Sequence, residues 1–110
     1  MAEQREHKAK VSQLQILQQN LQSLLVQKQQ FQIQLNEIES AASELKDAKQ
    51  TYKIVGNIMV LGEKESISKQ LDQRRDIIEL RIKTIESQEE KLRKKAEELQ
   101  KEILGDMGER

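Results

Sequence analysis

Apolar residues recur every three and four positions through the first half of the chain. Stepping in this rhythm from Leu14 to Leu45 reaches ten positions, of which nine are apolar and one is Lys28. The residues between them are mostly polar, and glutamine dominates. A heptad pattern held for more than four heptads predicts a coiled-coil helix over about 5–49. The ten seam positions are Leu14, Leu17, Leu21, Leu24, Lys28, Phe31, Leu35, Ile38, Ala42 and Leu45.

The heptad pattern returns in the second half and predicts another helix over about 66–104. Five apolar residues fall at intervals of seven. Three of them have another apolar residue four positions later, and Glu89 takes the equivalent position after Ile85. Ile77 and Leu80 are expected to widen the stripe. Gly105 and Gly108 predict that residues 105–110 form a flexible tail. The seam residues are Leu71, Ile78, Ile82, Ile85, Glu89, Leu92, Ala96, Leu99 and Ile103.

Residues 51–62 (TYKIVGNIMVLG) separate the two helical patterns with a β-prone segment that is poor in charge. At its centre, Gly56 and Asn57 both tolerate the positive φ that primed hairpin turns need, although their order leaves the turn type open. An isolated hairpin is at best marginally stable, and apolar residues on both faces favour burial against other strands. We therefore expect an oligomerisation element. Its residues are Tyr52, Ile54, Val55, Ile58, Met59 and Val60.

Two helices of similar length around a compact insert should fold back on each other. The predicted fold is mostly α, a long antiparallel two-helix coiled coil with a central β-hairpin, in a single domain over 1–110. Both chain termini would meet at the tip opposite the hairpin. Lys28 occupies a seam position, where a polar residue often fixes the register of a coiled coil.

Composition excludes several function classes. Charged residues make up 35% of the chain and aromatic residues 2%, which does not suit a globular core. The 19 basic and 19 acidic residues balance, so the chain lacks the basic surface of a nucleic-acid binder. Cysteine is absent, which rules out disulfides and thiolate metal sites. The polar N-terminus and the lack of a long apolar run predict a cytoplasmic protein without a membrane span.

The sequence also offers no set of residues suited to catalysis, so we expect neither an enzyme nor a cofactor. His7 is solitary, and we expect it to be solvated in a frayed first turn. Glu86, Glu89 and Glu90 lie on a helix face without an apolar pocket to raise a pKa. Residues 62–66 (GEKES) lack the spacing of a phosphate-binding loop.

The segments YKIVGNIMV at 52–60 and RIKTIESQEE at 81–90, set between long heptad helices, resemble the beta-type subunits of archaeal prefoldin. The resemblance covers essentially the whole chain. It implies a hexamer of two alpha and four beta subunits, whose hairpins form an intersubunit β-barrel platform. It also implies that coiled-coil tips hold non-native client proteins and deliver them, without ATP, to a group II chaperonin.

The resemblance implies that clients bind at the tip opposite the hairpin. The apolar residues there could either close the seam between the helices or contact clients. Leu14, Leu17 and Leu99 suit seam closure better, whereas Leu104 and Met107 lie beside glycines and suit contact with clients. Off-seam residues of the first helix either broaden its stripe or leave apolar patches; these are Ile16, Leu25, Val26 and Ile33. The candidate client-binding residues are Val11, Leu14, Leu99, Ile103, Leu104 and Met107. The resemblance implies that Glu97, Glu98 and Glu102 help to dock the chaperonin.

Two functions follow from these observations. The favoured one is an ATP-independent molecular chaperone subunit that binds non-native proteins. The alternative is a structural coiled-coil scaffold or tether that oligomerises through its hairpin and binds no unfolded chains.

Overall fold

The computed structural model describes residues 2–108 as two long helices joined by a β-hairpin. Helix α1 is Ala2–Asp47, strand β1 is Thr51–Val55, strand β2 is Ile58–Gly62, and helix α2 is Lys64–Gly108. These elements confirm the predicted mostly α fold with a central hairpin at 51–62. Both helices begin a few residues earlier than predicted, and α1 ends at Asp47 rather than at about residue 49.

The predicted flexible tail is wrong for residues 105–108, because α2 continues through Gly105 and ends at Gly108. A glycine costs a helix only about 1 kcal/mol relative to alanine, which cross-helix contacts can offset. Glu109 and Arg110, which belong to the same predicted tail, lie outside the described residues.

The chain divides into two compact units. One combines the start of α1, up to Lys28, with the part of α2 from Thr84 onward; the other is Gln29–Lys83. In each unit the α1 segment lies antiparallel to the α2 segment. Lys28 meets Glu89 and Lys10 meets Asp106 in the first unit, while Arg81 lies over the ring of Phe31 in the second.

The core of Gln29–Lys83 is a cluster of three isoleucines, Ile38, Ile78 and Ile82, each only 6% exposed. Phe31, Leu35 and Leu71 pack around this cluster and are partly buried. All six are predicted seam positions, so the heptad pattern identifies this core correctly.

The expectation that Ile77 and Leu80 widen the seam is wrong, since both are largely exposed. The buried and half-buried positions of α2 follow each other at steps of three and four from Ile67 to Ile103. Ile77 and Leu80 fall between these steps, and a helix turn of 3.6 residues carries them away from the seam.

A few specific contacts form where the hairpin meets the two helices. Lys64 Nζ donates a hydrogen bond to the carbonyl oxygen of Lys46 at 2.6 Å, which places a cation at the C-terminal end of α1. Thr51 Oγ1 donates to the carbonyl oxygen of Gly62 at 2.8 Å across the base of the hairpin. A Cβ atom on Gly62 would lie 2.8 Å from Ile67 Cδ1, so glycine lets the strand pass close to α2.

The hairpin turn is type II′, which settles the turn type that the sequence leaves open. Val55 pairs with Ile58, so Gly56 and Asn57 form a two-residue loop. Gly56 has φ of +60°, whereas Asn57 does not have a positive φ. Type II′ turns need a positive φ at the first central residue only, and glycine meets this need without strain.

Candidate functional site

The hairpin exposes an apolar face that the rest of the chain does not cover. The register pairs Tyr52 with Leu61 and Ile54 with Met59, and these four side chains share one face because strand neighbours alternate. Ile54 is 69% exposed and Met59 is 64% exposed. We call Tyr52, Ile54, Met59 and Leu61 the hairpin surface.

The opposite face of the hairpin carries three apolar side chains beside Lys53. Val55 and Ile58 are exposed there, and Val60 is the least exposed of the apolar hairpin residues. All six predicted oligomerisation residues are therefore at the surface of the single chain. A two-stranded sheet with two open edges and two apolar faces has the features of an assembly element.

The predicted client-binding residues separate into two groups by burial. Val11, Leu14, Leu99 and Ile103 are half-buried along the seam of the unit that contains both chain ends. Leu104 and Met107 project from α2 instead and are 68% and 62% exposed. These last two thus offer apolar surface for contact with another protein, as their position beside the glycines suggests.

The off-seam residues of α1 are mostly exposed, which favours apolar patches over a broadened stripe. Ile16, Val26 and Ile33 are exposed, while Leu25 is half-buried. Ile16 lies beside a groove of about 360 Å³ between α1 and the end of α2. The groove is lined by Gln13, Ile16, Leu17, Lys95, Glu98, Leu99 and Glu102.

This groove adds Ile16 to the candidate contact residues near the chain ends. The heptad pattern already marks Ile16 as an off-seam apolar residue that could form a surface patch, but it does not reveal the groove beside it. Glu98 and Glu102 border the same groove, so carboxylates flank its apolar floor.

The predicted docking carboxylates are accessible. Glu97 and Glu98 are exposed, and Glu102 is exposed although it lies 3.7 Å from Lys10 Nζ. Lys10 also donates a hydrogen bond to Asp106 at 3.0 Å. Asp106, and more weakly Glu102, raise the pKa of Lys10 above its ordinary value of 10.5. The attraction is therefore present well below pH 10.5, as long as the carboxylates are ionised, and it is lost as the pH rises through the raised pKa of Lys10.

The two polar seam residues pair with each other. Lys28 Nζ lies 2.8 Å from Glu89 Oε1, and the Glu89 side chain is only 8% exposed. The sequence places each residue in the seam, but heptads alone do not reveal which positions of two antiparallel helices meet. No other charged side chain in the described part of the chain is buried.

Residues 2–108 contain neither a candidate metal-binding cluster nor a helix suited to span a membrane. No group of three or more metal-ligating side chains lies close together in that range, and no helix there is long and apolar enough to span a bilayer. His7 is half-buried within α1, so the expected solvated, frayed first turn is wrong. Continuous helix from Ala2 carries His7 toward the seam side.

Comparison with known proteins places this geometry in a family. The family model described as "Prefoldin subunit" matches residues 8–110. The chain belongs to the prefoldin subunit family. The prefoldin subunit beta of Archaeoglobus fulgidus is 43% identical over 84% of this chain and 83% of its own length. That of Sulfurisphaera tokodaii is 41% identical over 82% of this chain and 74% of its own length.

A solved prefoldin structure agrees with the fold. The prefoldin beta subunit of Thermococcus strain KS-1 superposes with a TM-score of 0.87 at 32% identity, covering 91% of this chain and 90% of the solved chain. The resemblance to archaeal prefoldin beta subunits is thereby confirmed. Membership of the prefoldin family supports a chaperone role.

Proposed function

We propose that this chain is the beta-type subunit of an ATP-independent chaperone that binds non-native proteins and delivers them to a group II chaperonin. Two alpha-type and four beta-type subunits would assemble through their hairpins, in the cytoplasm. This proposal rests on the location of two sets of exposed apolar side chains. One set lies on the hairpin, and the other lies at the C-terminal end of α2.

The hairpin supplies the assembly function in this proposal. Its apolar side chains are exposed on both faces in the single chain, and burying them against other hairpins would remove that surface from water. The prefoldin alpha subunit and further beta subunits are the proposed partners.

Client binding is proposed to lie at the end of the coiled coil that contains both chain ends. Leu104 and Met107 are three residues apart on α2, which puts them on one face of the helix. Methionine adapts its shape to irregular apolar surfaces, which suits binding of clients that share no sequence. The half-buried residues Val11, Leu14, Leu99 and Ile103 would extend this surface where clients penetrate the seam.

The chaperonin is proposed to dock on the carboxylates Glu97, Glu98 and Glu102. Their exposure allows contact with a cationic partner surface. Electrostatic contacts of this kind guide association and weaken as salt screens them. Reversing Glu97 and Glu98 to lysine should therefore weaken chaperonin docking more at low salt than at high salt.

A serine substitution at both Leu104 and Met107 tests the client site. Both side chains are exposed, so the L104S/M107S variant should assemble and unfold like the native chain. We expect it to suppress aggregation of a chemically denatured client less well, as measured by light scattering in the presence of the alpha subunit. The matched control is Ile33→Ser, which removes an equally exposed apolar side chain from the other compact unit.

The same assay separates the chaperone from the alternative scaffold. A scaffold would assemble but give no protection in any variant, including the native chain. Full protection by L104S/M107S, together with protection by native chain, would place client binding elsewhere and direct attention to the groove beside Ile16.

A further inference from the structure

The last turn of α2 is helical although its sequence opposes a helix there. Gly105 and Gly108 each lower helix stability, and Asp106 places a negative charge where the helix dipole is already negative. No basic residue lies in this turn, so it lacks the cation that usually stabilises a helix C-terminus. We call Gly105–Gly108 the terminal turn.

Lys10 of α1 supplies the missing cation from the neighbouring helix. Its ammonium nitrogen lies 3.0 Å from Asp106 Oδ2, inside the terminal turn, and 3.7 Å from Glu102 Oε2, one turn earlier. The same geometry favours the charged form of Lys10 and raises its pKa. The Lys10 side chain is 27% exposed, which is less than either carboxylate.

We propose that Lys10 is an ionic clamp that keeps the terminal turn helical and so fixes the apolar pair Leu104 and Met107 on one face. An exposed ion pair contributes little to a stable element. We expect it to matter here because Gly105, Asp106 and Gly108 bring the terminal turn close to balance between helix and coil, where a small free energy changes the populations most. The order of this turn is therefore sensitive to salt, which screens the clamp.

The clamp would affect client binding only if Leu104 and Met107 contact clients, so this part of the inference rests on the proposed function. An ordered turn presents both side chains together, whereas a frayed turn would have to lose conformational freedom on binding. Loss of the clamp is thus expected to weaken client retention while leaving the hairpin untouched.

Nitroxide labelling tests the clamp directly, because the chain has no cysteine and a single one can be introduced. Met107→Cys carries the label in the terminal turn, and Ser87→Cys carries a reference label at an exposed position of α2. Electron paramagnetic resonance then measures the ratio of mobile to immobile label. We expect Lys10→Met to raise this ratio about 1.4- to fivefold at residue 107, the range an exposed ion pair produces, and to leave residue 87 unchanged.

Two matched variants sharpen the result. Lys10→Arg keeps the cation and should keep the native ratio, and Lys8→Met removes an exposed lysine two residues away and should also leave it unchanged. Raising sodium chloride from about 0.05 to 1 M should mobilise the label in the native sequence but not in Lys10→Met, over a range in which the Debye length falls from more than 10 Å to about 3 Å.

The clamp is refuted if Lys10→Met leaves the label at residue 107 unchanged, or if Lys8→Met mobilises it equally. These measurements contain no client, so they stand apart from the client-binding proposal. The aggregation assay is then run separately on Lys10→Met. A mobilised terminal turn with undiminished client protection by this variant would support the clamp and count against client contact by Leu104 and Met107.

Discussion

At the scale of single residues, the pairing of Lys28 with Glu89 explains two exceptions to the heptad pattern together. Each residue alone would place a charge in an apolar seam, which is unfavourable. At 2.8 Å they form a charge-assisted hydrogen bond, and the carboxylate is almost fully buried. A shift of the helices by one seam position would separate them and leave Glu89 against apolar side chains. We infer that this pair helps to select the helix register.

Removing one partner of this pair should cost more than removing both. Lys28→Met leaves the buried Glu89 carboxylate without its hydrogen-bond donor, and we expect it to lower the free energy of unfolding by about 2–3 kcal/mol. Replacing both residues by leucine should restore stability to the native level or above, since apolar seams tolerate leucine well. Urea unfolding followed by circular dichroism measures the free energy of unfolding of the native chain, of Lys28→Met, of the single variants Lys28→Leu and Glu89→Leu, and of the double leucine variant.

An exposed carboxylate on α2 gives the matched control for the substitutions of Lys28 and Glu89. Glu86→Gln alters a carboxylate three residues earlier on α2 that lies outside the seam, and it should change stability by less than about 0.5 kcal/mol. Additive effects of Lys28→Leu and Glu89→Leu in the double variant would show that the two side chains do not interact energetically.

At the scale of the helices, seam and off-seam isoleucines should differ sharply in their energetic weight. Ile85 is 6% exposed and Ile33 is 58% exposed. Ile85→Ala should lower the free energy of unfolding by about 2–3 kcal/mol, the lower end for buried positions, because two helices bury less than a globular core. Ile33→Ala should change it by less than about 0.5 kcal/mol. Thermal unfolding of both variants compares them, and equal losses would mean that the seam is wrongly placed.

The helices and the hairpin could be predicted because their signals are local. Heptads from Leu14 to Leu45 and from Leu71 to Ile103 identify the seam, and residues 51–62 identify the segment that forms the hairpin. The same pattern misjudged Ile77 and Leu80, since apolar character near a seam does not by itself place a side chain in it. The end of α2 was misjudged because Lys10 lies 96 residues from Asp106 in sequence, and such contacts leave no periodic signal.

In the candidate site, too, the features that depend on neighbouring residues could be predicted from the sequence, whereas those that depend on contacts between the helices could not. Exposure of the hairpin residues follows from their apolar character on both faces, which the sequence displays directly. The split between half-buried Leu99 and exposed Leu104 depends on helical phase at the chain end. The groove beside Ile16 combines residues from both helices, so it required the register that only the folded chain provides.

At the scale of the whole molecule, the proposed function makes client binding depend on assembly through the hairpin surface. Weak apolar contacts from the coiled-coil ends of several subunits bind one client more tightly when the subunits are assembled, because each additional contact becomes intramolecular. A single chain with an intact Leu104 and Met107 would then hold a client far less well than the assembled protein. Assembly through the hairpin is therefore expected to control chaperone activity without touching the client-binding residues.

Opposite charges on one cross-strand pair test this connection. Ile54 and Met59 face each other in the hairpin surface, so Ile54→Glu with Met59→Lys should keep the hairpin through their attraction. In an assembly the same charges would be buried against apolar strands at a cost of several kcal/mol, so we expect dissociation. Sedimentation with the alpha subunit measures assembly, circular dichroism checks helicity, and aggregation assays measure protection.

Gln30→Lys with Gln32→Glu is the control, with the same charges at exposed positions of α1. We expect the hairpin variant to remain helical, sediment as smaller species and lose most protection, whereas the control keeps all three properties. An intact assembly would remove the hairpin from the interface, and full protection by dissociated chains would show that client binding needs no assembly.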